Sequence, residues 1–288
     1  MVVVTGTKRS GTSLWMRMLI EAGLPHLGEA FPSVWEESIR DANPNGFYES
    51  SLRMGVFFGT NPNPKTGQYL TSGATQHHVV KIFIPGVVRT ELAYLSRVVG
   101  TMRYWRAYSR SIDALYAQED AYLMAHPRDG KTGEQLVSNA RARRLSVPHP
   151  VAWFLENYEL MRDFAVRRYP INFCAYEKLL AEPEPIITEV FHWLGHGDVG
   201  KALSVIDTDL KRSNDRPSVD CESLIDPKMV ALFDDFYGVI HDGSAVPRTL
   251  LEPLNQAWKS LSRQYARLDS RRVADESVGI TDDNLAHR

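Results

Sequence analysis

Apolar and polar positions follow two rhythms along this chain. Val2-Val3-Val4-Thr5 is a continuous β-branched run, the pattern of a strand buried on both faces. Gly6 to Gly11 interrupts it. From Thr12 the residues Leu14, Met18, Leu19 and Ala22 recur at helical spacing until Gly23 ends the pattern. Residues 79–84 and 98–102 read as a second and a third strand, and 171–175 as a fourth. Residues 105–125, 151–168, 185–194, 226–240 and 250–268 carry helical periodicity. Strands alternating with helices predict an α/β fold: a single domain with a central parallel sheet flanked by helices.

Two stretches resist either rhythm. Residues 24–75 are rich in Pro, Gly, Asn and aromatics and read as long loops with short helices. Residues 126–149 are polar, carry the basic run Arg141-Ala-Arg-Arg144, and are expected to form a lid or a disordered segment. The domain is expected to span residues 1–268, with 269–288 a charged, disordered tail. No internal repeat is visible.

Composition narrows the chemistry. With 33 basic and 35 acidic residues among 288, the net charge is −2, so nothing in bulk marks a nucleic-acid binder. An anionic ligand has to be met by a local cluster of cations. The two cysteines, Cys174 and Cys221, have no metal-ligand spacing and imply a fold that needs no disulfide, as in a reducing compartment. No run approaches the ~18 to 20 apolar residues of a membrane span. The chain also opens straight into a strand without a signal-peptide pattern, which predicts a cytoplasmic protein with no membrane partner.

The informative segment is Thr5-Gly6-Thr7-Lys8-Arg9-Ser10-Gly11-Thr12-Ser13. A strand that enters a glycine loop and leaves as a helix aims several backbone N–H groups at one spot, which is an anion site. Gly6 and Gly11 keep the spacing of a nucleotide-triphosphatase loop, but Thr12 stands where the phosphate-reaching lysine belongs. The cations sit upstream, at Lys8 and Arg9. No apolar strand ends in an Asp suited to holding Mg²⁺.

In this form the segment resembles the loop of sulfotransferases that use 3′-phosphoadenosine 5′-phosphosulfate (PAPS), where a basic residue directly precedes Ser-Gly-Thr and a helix. Arg9-Ser10-Gly11-Thr12-Ser13-Leu14-Trp15 matches it, Arg9 standing where many members have Lys. The family's 3′-phosphate signature is an Arg at a strand end with a Ser eight positions on; Arg103 and Ser111 have that spacing. Tyr104-Trp105-Arg106 follows the Arg here, where the family has a small residue or Pro. Residues 173–183, Phe-Cys-Ala-Tyr-Glu-Lys-Leu-Leu-Ala-Glu-Pro, are similar to the family's strand, Tyr-Glu-Asp and Pro block, which would set Tyr176 against adenine. Lys178 replaces the block's Asp. Thr208-Asp209-Leu210-Lys211-Arg212-Ser213 resembles a late basic loop that would bring Lys211 or Arg212 to the 3′-phosphate. The four segments occur in family order.

The resemblance implies a P-loop-like sulfotransferase architecture and metal-free, in-line transfer of a sulfuryl group from PAPS to an acceptor, a small molecule or other hydroxyl- or amine-bearing group. Its 5′-phosphosulfate cradle would be Lys8, Arg9, Ser10, Gly11, Thr12 and Ser13. Lys81, alone in an apolar strand, matches a family lysine near the sulfuryl group. Small-molecule members place a histidine two residues later, where this chain has Phe83, so another base is required. Glu29 lies where the tyrosylprotein branch has its glutamate base and is the first choice; Glu49, His77 and His78 are rivals. A P-loop kinase, and a PAPS-binding module without catalysis, are the alternative readings.

Overall fold

The computed structural model describes residues 1–31, 43–144, 147–206 and 220–278. Five strands form one all-parallel sheet: β1 (Val2–Thr5), β2 (His26–Leu27), β3 (Val79–Lys81), β4 (Arg97–Met102) and β5 (Ile171–Ala175), in spatial order β2-β3-β1-β4-β5. The central strand β1 pairs with β3, Val4 opposite Lys81, and with β4, Thr5 opposite Gly100. Because side chains alternate across a strand, Val2 and Val4 enter one core while Met1 and Val3 enter another. Helices cover both faces: α1 (Thr12–Glu21), α7 (Pro183–Leu194) and α8 (Val199–Ser204) on the first, α2 (Ile84–Arg89) and α5 (His149–Arg167) on the second. This burial on both faces explains why β1 lacks the polar alternation of a half-exposed strand.

A third core is aromatic. Met102, Trp105 and Tyr108 pack with Trp153 and Phe154 of α5 and with Phe233, Phe236 and Tyr237 of α9 (Pro227–His241). Phe154 stacks on Phe233 with ring centres 4.8 Å apart. Here α3 (Trp105–Ala125), α5, α9 and α10 (Arg248–Val278) meet beside the sheet's β4–β5 side.

Several boundaries differ from the sequence expectation. The strand expected over 79–84 ends at Lys81; Ile82 still bonds the Val4 carbonyl at 3.0 Å, and α2 then begins at Ile84 with Pro85 in its first turn. The two-residue strand β2 is too short to show a period. Residues 126–149 contain α4 (Gly133–Arg143), opened by a capping box between Thr132 and Gln135, instead of a lid or disordered segment. The basic run fixes this helix to α3: Arg144 meets Glu119 and Asp120 at 2.7 Å and Arg141 meets Asp120 at 3.0 Å. Residues 176–181 form a short helix, α6 (Tyr176–Ala181). The tail expected from 269 begins inside α10, which runs to Val278; residues 279–288 lie outside the described residues. Among the described residues no helix is long and apolar enough to cross a membrane.

Truncating Phe233 should cost about 3–5 kcal/mol, the usual range for an aromatic in a packed core. A urea titration of Phe233→Ala against the parent protein measures it; a loss under about 1 kcal/mol would mean that this cluster can collapse around the void.

Candidate functional site

In a parallel sheet the residues that follow each strand gather at one edge, and ligands bind in the crevice where neighbouring strands send their connections in opposite directions. The connection after β1 runs toward β2, and the one after β4 toward β5, so the crevice lies beyond Thr5 and Met102. The glycine loop and Arg103 occupy it.

The loop is held by its own residues. Ser10 donates through Oγ to the Thr7 carbonyl at 2.7 Å, and its carbonyl accepts from Thr101 Oγ1 at 2.8 Å. The Ser10 hydroxyl proton therefore closes the loop. Arg9 takes a left-handed conformation, φ 68°, uncommon outside glycine. A Cβ on Gly6 would lie 2.3 Å from the Thr101 carbonyl oxygen, so only glycine lets the loop pass β4. Gly11, φ 96°, is the N-cap of α1; a Cβ there would meet Tyr176 Cδ2 at 2.5 Å. The first-turn N–H groups of α1, Thr12 and Ser13 among them, have no intrahelical partner by helix geometry. Thr12 is buried, and Lys8 and Arg9 are half-buried.

Arg9, Arg103, Ser111 and Tyr176 come together. Arg9 Nε donates to Ser111 Oγ at 3.1 Å, and Arg103 Nη1 donates to the Arg9 carbonyl at 3.1 Å. The Arg103 guanidinium carbon lies 5.1 Å from the Tyr176 ring centre. Arg103 is only 7% exposed, and burial pulls its pKa down. The Trp153 indole fixes its backbone, donating to the Arg103 carbonyl at 2.8 Å. The Tyr-Trp-Arg departure at 104–106 is structural: Trp105 enters the aromatic core, and Arg106 pairs with Asp234 at 2.6 Å and Glu222 at 2.5 Å.

On the other side of β1, Lys81 is 5% exposed. Its ammonium donates to Glu49 Oε1 at 3.1 Å, to the Phe47 carbonyl at 3.0 Å and to Ser13 Oγ at 3.4 Å. Burial is the largest influence on it and lowers its pKa; Glu49 opposes the shift, while Arg9 and Lys8 add to it. Lys8, Arg9 and Lys81 thus repel one another across one small volume, the condition that an anion relieves. Glu49 is 4% exposed and also faces Arg53 at 3.8 Å. The chain around it is pinned: Glu49 and Glu29 exchange backbone bonds at 3.1 Å, and Phe83 N–H reaches the Arg53 carbonyl at 2.8 Å.

The candidate bases separate by position. Glu29 follows β2 at the correct edge, but its side chain is exposed. Glu49, its bridge partner, is the carboxylate on Lys81. His77 and His78 precede β3, and the His78 carbonyl accepts from Val2 N–H at 2.9 Å, which puts both at the opposite edge of the sheet. Lys211 and Arg212 lie outside the described residues. Sequence reasoning gave no role to Glu177, although it quoted the residue beside Tyr176, and it missed Tyr237, which carries no local signal.

No family model matches the chain, and no curated protein matches it.

Glu49→Ala would strand a buried ammonium. It should destabilise the fold by about 3–5 kcal/mol, whereas the double change Lys81→Met with Glu49→Leu should recover most of that loss. Urea titrations of the single and double variants measure this; a loss under about 1 kcal/mol in Glu49→Ala would show that Lys81 finds other counter-charge.

Proposed function

We propose that this chain is a sulfotransferase of P-loop-like architecture that moves a sulfuryl group from PAPS to a hydroxyl or amine of an acceptor without a metal ion. The observation that carries the reading is the junction of two cationic sites. Arg9 of the glycine loop bonds Ser111, and Arg103 bonds the Arg9 backbone. A nucleotide with anionic groups on both the 3′ and the 5′ oxygen of its ribose suits such a pair; a single phosphate would use one of them.

The residues fit that donor in kind. The loop N–H groups, with Lys8, Arg9, Thr12 and Ser13, would hold the 5′-phosphosulfate, and Arg103 and Ser111 the 3′-phosphate. The Tyr176 ring, over Gly11 and beside Arg103, offers a face for adenine. Lys211 and Arg212 remain expected 3′-phosphate ligands. PAPS supplies an activated sulfuryl group, whose transfer depends on positioning and on stabilising charge at the bridging oxygen. Lys81 and Arg9 are the cations placed for that charge. In this structure Lys81 is held by Ser13, the Phe47 carbonyl and Glu49, so reaching a ligand requires it to exchange partners. We assign the base to Glu49 in preference to Glu29. A carboxylate released by its ammonium partner accepts a proton more readily, and Glu49 is the one that Lys81 would release.

The product 3′-phosphoadenosine 5′-phosphate (PAP) should bind by calorimetry equally well with and without EDTA, and ATP should bind poorly. Strict metal dependence, or equal affinity for ATP, would favour a kinase instead. Arg9→Ala should reduce turnover far more than PAP affinity, and Arg103→Ala should do the reverse, since a 3′-phosphate contact is present in ground and transition states alike. A shared pattern in the two variants would refute this division of roles. Glu49→Gln should keep PAP affinity and lower the rate by ~10² to 10⁴-fold, the span for loss of a general base. Turnover within a few-fold of the parent would return the role to Glu29.

A further inference from the structure

We infer that Glu177 and Tyr237 form a bracket that positions Arg103 and so sets this site's preference for a nucleotide carrying a 3′-phosphate; this rests on the sulfotransferase reading above. Glu177 is the second residue of α6, directly after Tyr176. Its carboxylate accepts from the Tyr104 backbone N–H, at 3.2 Å to Oε1 and 3.1 Å to Oε2. The Tyr237 hydroxyl donates to Oε2 at 2.5 Å, and Arg103 Nε lies 3.9 Å from Oε1. Arg103 is thus bounded on three sides: the Glu177 carboxylate 3.9 Å from Nε, an electrostatic contact beyond hydrogen-bond reach, the Arg9 carbonyl bonded to Nη1 and the Tyr176 ring on a face.

A carboxylate beside a phosphate-binding arginine carries an electrostatic cost, because it repels the phosphate that the arginine attracts. Two features reduce that cost. Two donors share the carboxylate's charge, one of them a short charge-assisted bond from Tyr237. Tyr104 is also the N-cap of α3, so the charge sits at the positive end of the helix that carries Ser111. In return, an arginine held in one orientation loses less side-chain entropy when it grips a phosphate. Burial raises the Glu177 pKa, and the Tyr237 bond opposes that shift.

Tyr237 itself is fixed from outside the site. It is 8% exposed on α9, its ring 5.1 Å from that of Tyr104, within the aromatic core. The packing of α9 thus reaches Arg103 through one hydroxyl group.

The test compares PAP with adenosine 5′-monophosphate, which lacks the 3′-phosphate, by calorimetry on the parent protein and on Tyr237→Phe. That change removes the hydroxyl and leaves the packed ring. The parent should prefer PAP. Tyr237→Phe should lose about five- to tenfold of that preference, a part of the ~10- to 150-fold that a hydrogen bond to a charged group is worth because the effect reaches Arg103 only through Glu177, with monophosphate affinity within about twofold. An equal loss for both nucleotides would make Tyr237 merely structural, and an unchanged preference would remove it from the site; either result overturns the inference and leaves the sulfotransferase reading standing. A parent protein that binds PAP no better than the monophosphate would overturn both. Should Tyr237→Phe fail to fold, Glu177→Gln is read in the same way. Tighter PAP binding in Glu177→Gln would show that repulsion outweighs positioning and would likewise overturn the bracket.

Discussion

The convergence of the cations in this site depends on the parallel pairing of one four-residue strand. Val2–Thr5 lies between β3 and β4, with Val4 opposite Lys81 and Thr5 opposite Gly100. Strand ends in register bring the glycine loop, Lys81 and Arg103 to one edge, although Lys81 lies 70 residues beyond Gly11 and Arg103 another 22. The strand can do this because both its faces are buried: Val2 and Val4 against α1 and α7, Met1 and Val3 against α2 and α5. Paired on both edges, with β3 on one side and β4 on the other, the strand is held in one register by its neighbours.

Gathering cations at one edge creates a problem that the fold meets with two carboxylates. Lys81 and Arg103 are nearly buried, and an isolated charge in that setting is costly. Glu49 serves Lys81 from a segment bridged to residue 29, and Glu177 serves Arg103 from the helix after β5. The two pairings differ in consequence. Glu49 makes a direct 3.1 Å bond that uses one ammonium donor, whereas Glu177 stands 3.9 Å from Arg103 and bonds Tyr104 and Tyr237 more closely. Under the proposed function the first contact has to open before Lys81 can serve a ligand. The second can persist while a ligand is held, which suits a group that orients.

Elsewhere charge serves packing. Arg141 and Arg144, which read as a lid's basic run, fasten α4 to α3 through Glu119 and Asp120. Arg106 fastens α3 to α9 through Asp234. α3 is thereby fixed along its length, and Ser111 with it. Clusters of arginine in a sequence do not distinguish ligand binding from such clamps, because both use the same fork of donors.

The class of fold and the position of the glycine loop were legible in the sequence. β1, β4 and β5 are mainly apolar, broken only by Thr5, Arg97, Thr101 and Asn172, and the loop between Gly6 and Gly11 joins a strand to a helix, so local pattern suffices for each. The Thr132–Gln135 capping box, Thr-x-x-Gln, lay unread within a stretch that reads as loop. Tertiary structure alone decided the partners. Glu29 and Glu49 look alike in sequence, each in a Gly- and aromatic-rich stretch, and the bridge between them buries one and exposes the other. His77 and His78 were admissible until the register of β3 put them at the far edge of the sheet. Tyr237 lies 60 residues beyond Glu177 in a helix whose period announces only an apolar face. The physical reason is the same in each case: secondary structure follows from contacts a few residues apart, while the charge balance of a buried site depends on which distant chain segments meet there.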